Sequence, residues 1–144
     1  MQILSQLDPL WADVKLGDTN RTIAQVGCTT ICLSETTDYF GIYSDPKTCA
    51  RKLLYDSNAM VIWSSLKNIG LSLVSRVRAY NQQAIDQAIK DPNTTCLLNV
   101  DKGGHWVLAL SRVPFTSTYW VADPYEGRRR LYSGVVGYAV IKKV

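Results

Sequence analysis

Helix signals cluster before Gly70 and strand signals after Pro92, and this division leaves few architectures open. Gly27 precedes a helical stretch from Cys28 to about Tyr39, which Gly41 ends. Ser44-Asp45-Pro46 supplies a polar cap followed by proline at the first helical position, so the next helix is expected to run to about Tyr55, with Cys49, Leu53 and Leu54 facing inward. A third helix is expected from about Ala59 to Asn68, with Ile62, Trp63, Leu66 and Ile69 at helical spacing and Gly70 as its stop. Leu71 to Tyr80 is rich in apolar and β-branched residues and reads as a strand. Asn81 then caps a short helix from Gln82 to Lys90, whose Ala84, Ile85, Ala88 and Ile89 form one apolar stripe.

Five further strands are expected: Thr94 to Val100, His105 to Arg112, Thr118 to Ala122, Arg129 to Tyr132 and Val135 to Lys142. Asp101-Lys102-Gly103-Gly104 joins the first two as a hairpin. A helical first half and an antiparallel second half predict an α+β fold of two packed layers. At 144 residues, with no repeat or linker, one domain spanning 1–144 is expected, large enough to fold without disulfide staples.

Composition excludes several function classes. No apolar run approaches the roughly 20 residues that span a bilayer, so membrane insertion is not expected. The start, Met1-Gln2-Ile3-Leu4-Ser5-Gln6, shows neither a basic nor an apolar signal region, which predicts a cytoplasmic or otherwise delivered protein. A net charge of +4 is too small to select an anionic partner, and the twelve Trp and Tyr residues do not alternate with basic ones, so no nucleic acid is expected. Arg128-Arg129-Arg130 reads as a solvated turn and strand edge. A monomer is expected.

The four cysteines, 28, 32, 49 and 96, have no framework spacing and are expected to be free thiols. Cys49 and Cys96 lie in apolar stretches and read as packing, and Cys32 shares a helix face with Cys28. Cys28 differs in position. A helix N-terminus carries partial positive charge that stabilises a thiolate, and its free amides can donate to a developing oxyanion. His105, the only histidine, follows Gly103-Gly104 and opens an apolar strand, so its ring can reach a site at the sheet edge. Asp123 ends the next strand before Pro124 and could orient an imidazole; Asp101, in the hairpin loop, is the competing carboxylate. Cys28, Cys32, Cys96 and His105 could supply four zinc ligands, but none of these pairs has Cys-x-x-Cys spacing, so no metal is expected. No cofactor motif is present either.

Together, the lead Ser5-Gln6-Leu7-Asp8-Pro9-Leu10-Trp11-Ala12, Gly27-Cys28-Thr29-Thr30, Gly104-His105-Trp106-Val107 and Val121-Ala122-Asp123-Pro124-Tyr125-Glu126-Gly127 resemble the papain-like cysteine peptidases of the bacteriocin-leader-processing type, with the best match to free-standing bacterial and phage relatives. Trp63 to Leu66 matches a Trp-x-x-Leu segment of that group. The resemblance implies a papain-like domain with Cys28 as nucleophile, His105 as general base and acid, and Asp123 as orienting carboxylate. It implies that Gln6 donates its side-chain amide to the oxyanion hole; Gln25, three residues before Cys28, is the rival donor. The implied reaction is hydrolysis of peptide bonds through an acyl-enzyme, with peptidoglycan peptides as an expected substrate. An inactive binding or virion module on the same fold, and a thiol acyltransferase or amidase, are the alternatives.

Overall fold

The computed structural model describes residues 1–144. Short helix α1 (Ile23–Val26) leads through Gly27 into α2 (Cys28–Tyr39), and α3 (Pro46–Lys52) and a 3₁₀ segment (Trp63–Ile69) follow. The second half holds β1 (Leu71–Val77), α4 (Gln82–Lys90), β2 (Thr94–Val100), β3 (His105–Arg112), β4 (Tyr119–Asp123), β5 (Arg128–Tyr132) and β6 (Gly137–Lys143). The strands form one antiparallel sheet in the order β1-β6-β2-β3-β4-β5, so the last strand returns to lie between β1 and β2.

The expected α+β architecture holds, with one correction: the layers number three. On one sheet face Leu97, Trp106, Leu108, Ala122, Ala139 and Ile141 pack against Cys32 and Leu33 of α2, Cys49 of α3 and Leu66 of the 3₁₀ segment. On the other face Cys96, Leu98, Val107, Val121 and Val140 pack against Ile85 and Ala88 of α4. The cause lies in β2 and β3, whose residues are buried on both faces. A strand with two apolar faces needs a cover on each side.

Helix α2 is enclosed by this arrangement, and every residue from Thr29 to Thr37 is buried. The hydroxyls of Thr30, Ser34, Thr36 and Thr37 find partners along their own turns or on adjoining chain, as buried polar groups do. Thr36 donates to the Cys32 carbonyl at 2.9 Å and Ser34 to that of Ser44 at 2.6 Å, while the Thr30 hydroxyl pairs with that of Tyr55 at 2.7 Å. A third cluster, of Leu4, Trp11, Leu16, Ile23, Ile31, Ala50 and Ala59, holds the N-terminal lead against α2.

Two helix expectations need correction. Helix α3 stops at Lys52; Leu53 is buried as expected, but Leu54 points outward and Tyr55 bridges to Val61. The segment expected to be helical from Ala59 begins only at Trp63 and is 3₁₀, because Ala59 takes a left-handed conformation (φ 61°) and the Asp56 carboxylate collects the amides of Asn58 and Met60 into a turn. Ile62 is exposed there, while Leu66 and Ile69 are buried as expected. Strand β1 ends at Val77, three residues short of Tyr80.

Candidate active site

Three elements deliver side chains to one cleft of about 520 Å³. Cys28 is the first residue of α2 and half-buried. The bend that presents it depends on Gly27, where an added Cβ would lie 2.6 Å from both the Cα and the carbonyl oxygen of Ile23. Glycine is also the N-cap, so no cap side chain competes for the first-turn amides.

His105 opens β3 after a hairpin held in an unusual conformation, with Asp101, Lys102 and Gly103 all at positive φ. Buried Asn99 secures this turn by donating its side-chain amide to the carbonyls of Gly103 (3.1 Å) and His105 (3.0 Å). Asp123 is the last residue of β4 and is almost fully buried at 1% exposure, deep enough that its charge must be met within the protein. It is met on both oxygens. Oδ1 accepts from His105 Nε2 at 2.9 Å and from the Tyr125 backbone N–H at 3.0 Å, and Oδ2 accepts from Arg130 Nη1 at 3.3 Å.

Electrostatics follow from this geometry. Burial alone would lower the His105 pKa, but hydrogen bonds to Asp123 and Cys28, with the charges of both, raise it to about 9. Burial would raise that of Asp123, but the His105 hydrogen bond, the Tyr125 amide and the cations His105 and Arg130 hold it below the ordinary carboxylate value. The bond through Nε2 leaves Nδ1 as the ring nitrogen turned to the thiol. A helix-front thiol beside an imidazole that holds its proton is an arrangement suited to nucleophilic chemistry.

The other expected site residues fall as follows. Gln6 lines the cleft and is buried, with its amide nitrogen donating to the carbonyls of Ala24 (2.9 Å) and Ile23 (3.3 Å) and its Oε1 unpartnered. Gln25 also lines the cleft, but it is exposed and its Oε1 caps α1 by accepting from the Thr22 amide. Asp101 does not reach His105; it accepts from the Tyr132 hydroxyl at 3.2 Å. The four residues weighed as zinc ligands do not converge, because Cys96 belongs to the sheet face opposite Cys32. Cys32, Cys49 and Cys96 are buried thiols whose pKa values burial pushes up.

Arg130 is the site residue that the sequence reading missed, since it stands in a run taken as solvated. Strand alternation held the signal: Arg130 pairs with Val121, two residues before Asp123, so on the same sheet face it is the diagonal neighbour of that carboxylate. Its guanidinium also lies 4.6 Å from the Tyr132 ring centroid, and the Tyr132 and His105 rings are 6.1 Å apart. No helix of the molecule is long and apolar enough to cross a membrane.

No protein-family model and no curated protein matches the sequence. Solved structures do match the fold. The N-terminal peptidase C39-like domain of a toxin secretion ATP-binding protein from Vibrio parahaemolyticus aligns with a TM-score of 0.57 and 18% identity, over 78% of this chain and 93% of that domain. The peptidase domain of Streptococcus ComA, a bifunctional ABC transporter involved in quorum sensing, aligns with a TM-score of 0.58 and 8% identity, over 83% and 93%. The chain has the papain-like α+β fold of these peptidase C39-like domains.

Proposed function

We propose that residues 1–144 form one cysteine peptidase domain that hydrolyses peptide bonds through Cys28, His105 and Asp123. The observation that carries this reading is the meeting, in one cleft, of a helix-front thiol and an imidazole whose far nitrogen is fixed 2.9 Å from a buried carboxylate. The Cys28 thiolate adds to the carbonyl carbon, and the oxyanion is received by the Cys28 backbone N–H and a glutamine amide. As the C–N bond breaks, His105 passes its proton to the leaving amine and a thioester remains. His105 then takes a proton from water as the hydroxide adds to the thioester carbonyl, the Cys28 thiolate leaves as the C–S bond breaks, and the carboxylic acid is released. Asp123 holds the ring's orientation and offsets its charge throughout.

Gln6 is the proposed second oxyanion donor. It would serve by releasing the longer of its two bonds, the 3.3 Å contact to Ile23, toward the cleft. Peptides are the proposed substrate class, peptidoglycan stem peptides among them.

Cleavage of a defined peptide mixture, followed by mass spectrometry, tests the reading. Cys28→Ala and His105→Ala are each expected to lose at least about 10⁴-fold in rate while keeping the fold, and Asp123→Asn to lose less than either. Removing the true oxyanion donor costs on the order of 10²–10³-fold, so Gln6→Ala and Gln25→Ala separate the two glutamines. Hydrolysis that survives Cys28→Ala at full rate would sink the mechanism.

A further inference from the structure

A second cavity of about 420 Å³ adjoins the cleft and shares Thr29, Met60, Val61, Gly103 and Trp106 with it. The two are therefore sections of one groove, and a chain lying across Cys28 that continues past Trp106 enters this second section. Its walls carry Arg76 and Arg78, the last β1 residue but one and the residue just after the strand.

Neither arginine takes part in any of the four ion pairs of the molecule. Arg76 is half-buried, and its only hydrogen bond is from Nη1 to the neighbouring Val77 carbonyl at 2.7 Å, which leaves the rest of its five-donor fork without a protein acceptor. Burial and the like charge of Arg78 both press the Arg76 pKa below the ordinary value. The one acidic residue on the cavity wall, Asp56, has its Oδ1 occupied by the amides of Asn58 and Met60 and pairs with neither arginine.

The position of Arg76 is also built. Its guanidinium carbon lies 4.7 Å from the Trp106 ring centroid, one residue along the chain from His105. Space for that stacking comes from Gly137 at the start of β6, where an added Cβ would stand 2.9 Å from Arg76 Nη1 and 2.8 Å from the Val77 carbonyl oxygen. A fixed, planar, unneutralised guanidinium in a groove is suited to bidentate recognition of a carboxylate.

We infer that Arg76 and Arg78 form a substrate subsite for a carboxylate, so that the preferred peptides carry an acidic residue, or a chain-terminal carboxylate, at a fixed distance from the bond attacked. This inference rests on the peptidase reading for the location of that bond, but binding can be measured without turnover. The probe is a set of fluorescent hexapeptide pools with Glu, or its neutral isostere Gln, fixed at each position in turn and with free or amidated C-termini. Anisotropy with full-length Cys28→Ala reads the affinity, and mass spectrometry with the unmodified protein reads cleavage.

At one position the Glu pool, or the free-acid pool, is expected to bind at least about tenfold tighter than its neutral partner. The preference should weaken with added salt and vanish in Arg76→Gln/Arg78→Gln, whose fold is checked by circular dichroism. Should that double variant unfold, Arg78→Gln alone, at an exposed position, is expected to reduce the preference. Equal binding by all acidic and neutral pools, no binding by any pool, or a preference untouched by the substitutions overturns the subsite. Acid-selective binding without cleavage keeps the subsite and removes the peptidase reading, while cleavage without acid selectivity does the opposite.

Discussion

Asp123 sits where the charges of three residues meet, and its two oxygens divide the work. One oxygen fixes His105 and the Tyr125 amide, and the other meets Arg130, so the carboxylate stays ionised at 1% exposure. A proton is thereby kept on His105 to about pH 9. Activity that depends on the imidazolium is expected to fall on the alkaline side near that value. In Asp123→Asn the negative charge that helps raise the His105 pKa is lost and the remaining acceptor is a neutral amide oxygen, so the alkaline limb of kcat/KM should move to lower pH. A limb that stays in place in Asp123→Asn contradicts the pairing. Cys28, His105 and Asp123 were legible in sequence as candidates, because a helix-front cysteine, a single histidine and a strand-end aspartate are few enough to name. Arg130 was not legible, since a basic run on an edge strand is normally solvated and only the pairing of β5 with β4 turns one member inward.

At the scale of elements, the join between α1 and α2 is the tightest point of the site. Gly27 closes α1 by donating to the Ile23 carbonyl at 2.8 Å and at once begins α2, at an ordinary φ of −85°. Glycine is required here by space and not by backbone conformation, because the clash that a Cβ would meet is with backbone as well as with the Ile23 side chain. Gly27→Ala is expected to destabilise the protein by about 1–3 kcal/mol, as overpacking does. It should also slow alkylation of Cys28 by iodoacetamide, because relief of the clash displaces the front of α2. Denaturant melts and labelling rates check the two effects, and an unaltered melt would refute the steric account. The same scale explains the misplaced third helix: the apolar spacing of Ile62, Leu66 and Ile69 is compatible with either helix type, and the Asp56 turn settled where the segment could begin.

For the whole molecule, the N-terminal lead is an integral part of the core. The Leu4 amide donates at 2.9 Å to Oε2 of Glu35, a fully buried residue of α2, and Gln6 ties the lead to α1 two residues later. The other Glu35 oxygen has no partner, and burial, opposed only by the Leu4 amide, raises its pKa from 4.5 to about 8. A folded-state pKa above the unfolded value gives stability that is complete below about pH 4.5 and lost as pH rises through 8. His105 behaves likewise between 6.5 and about 9. Global stability is therefore expected to decline from mildly acidic to alkaline pH. Glu35→Gln keeps an acceptor for Leu4, so it should flatten the lower part of that decline and raise the urea midpoint at pH 8. A pH profile identical to that of the parent would show that Glu35 is not the group responsible.

Sequence alone determined what local chemistry decides. Strands β2 and β3 occupy the residues expected, α4 begins at its Asn81 cap and shows its apolar stripe, and α2 begins at the cysteine that follows Gly27. These follow from backbone preference and near-neighbour patterning, which a chain carries in any window of a few residues. Only the tertiary structure decided the rest: the third layer, the inward turn of Arg130, the engagement of Gln6 by α1, and the groove that places Arg76 over Trp106. Most of these join residues far apart in the chain, and the Arg130 contact, though only seven residues long, depends on the exact pairing of β5 with β4. Their meeting depends on which strands pair and in what register, which no local window contains.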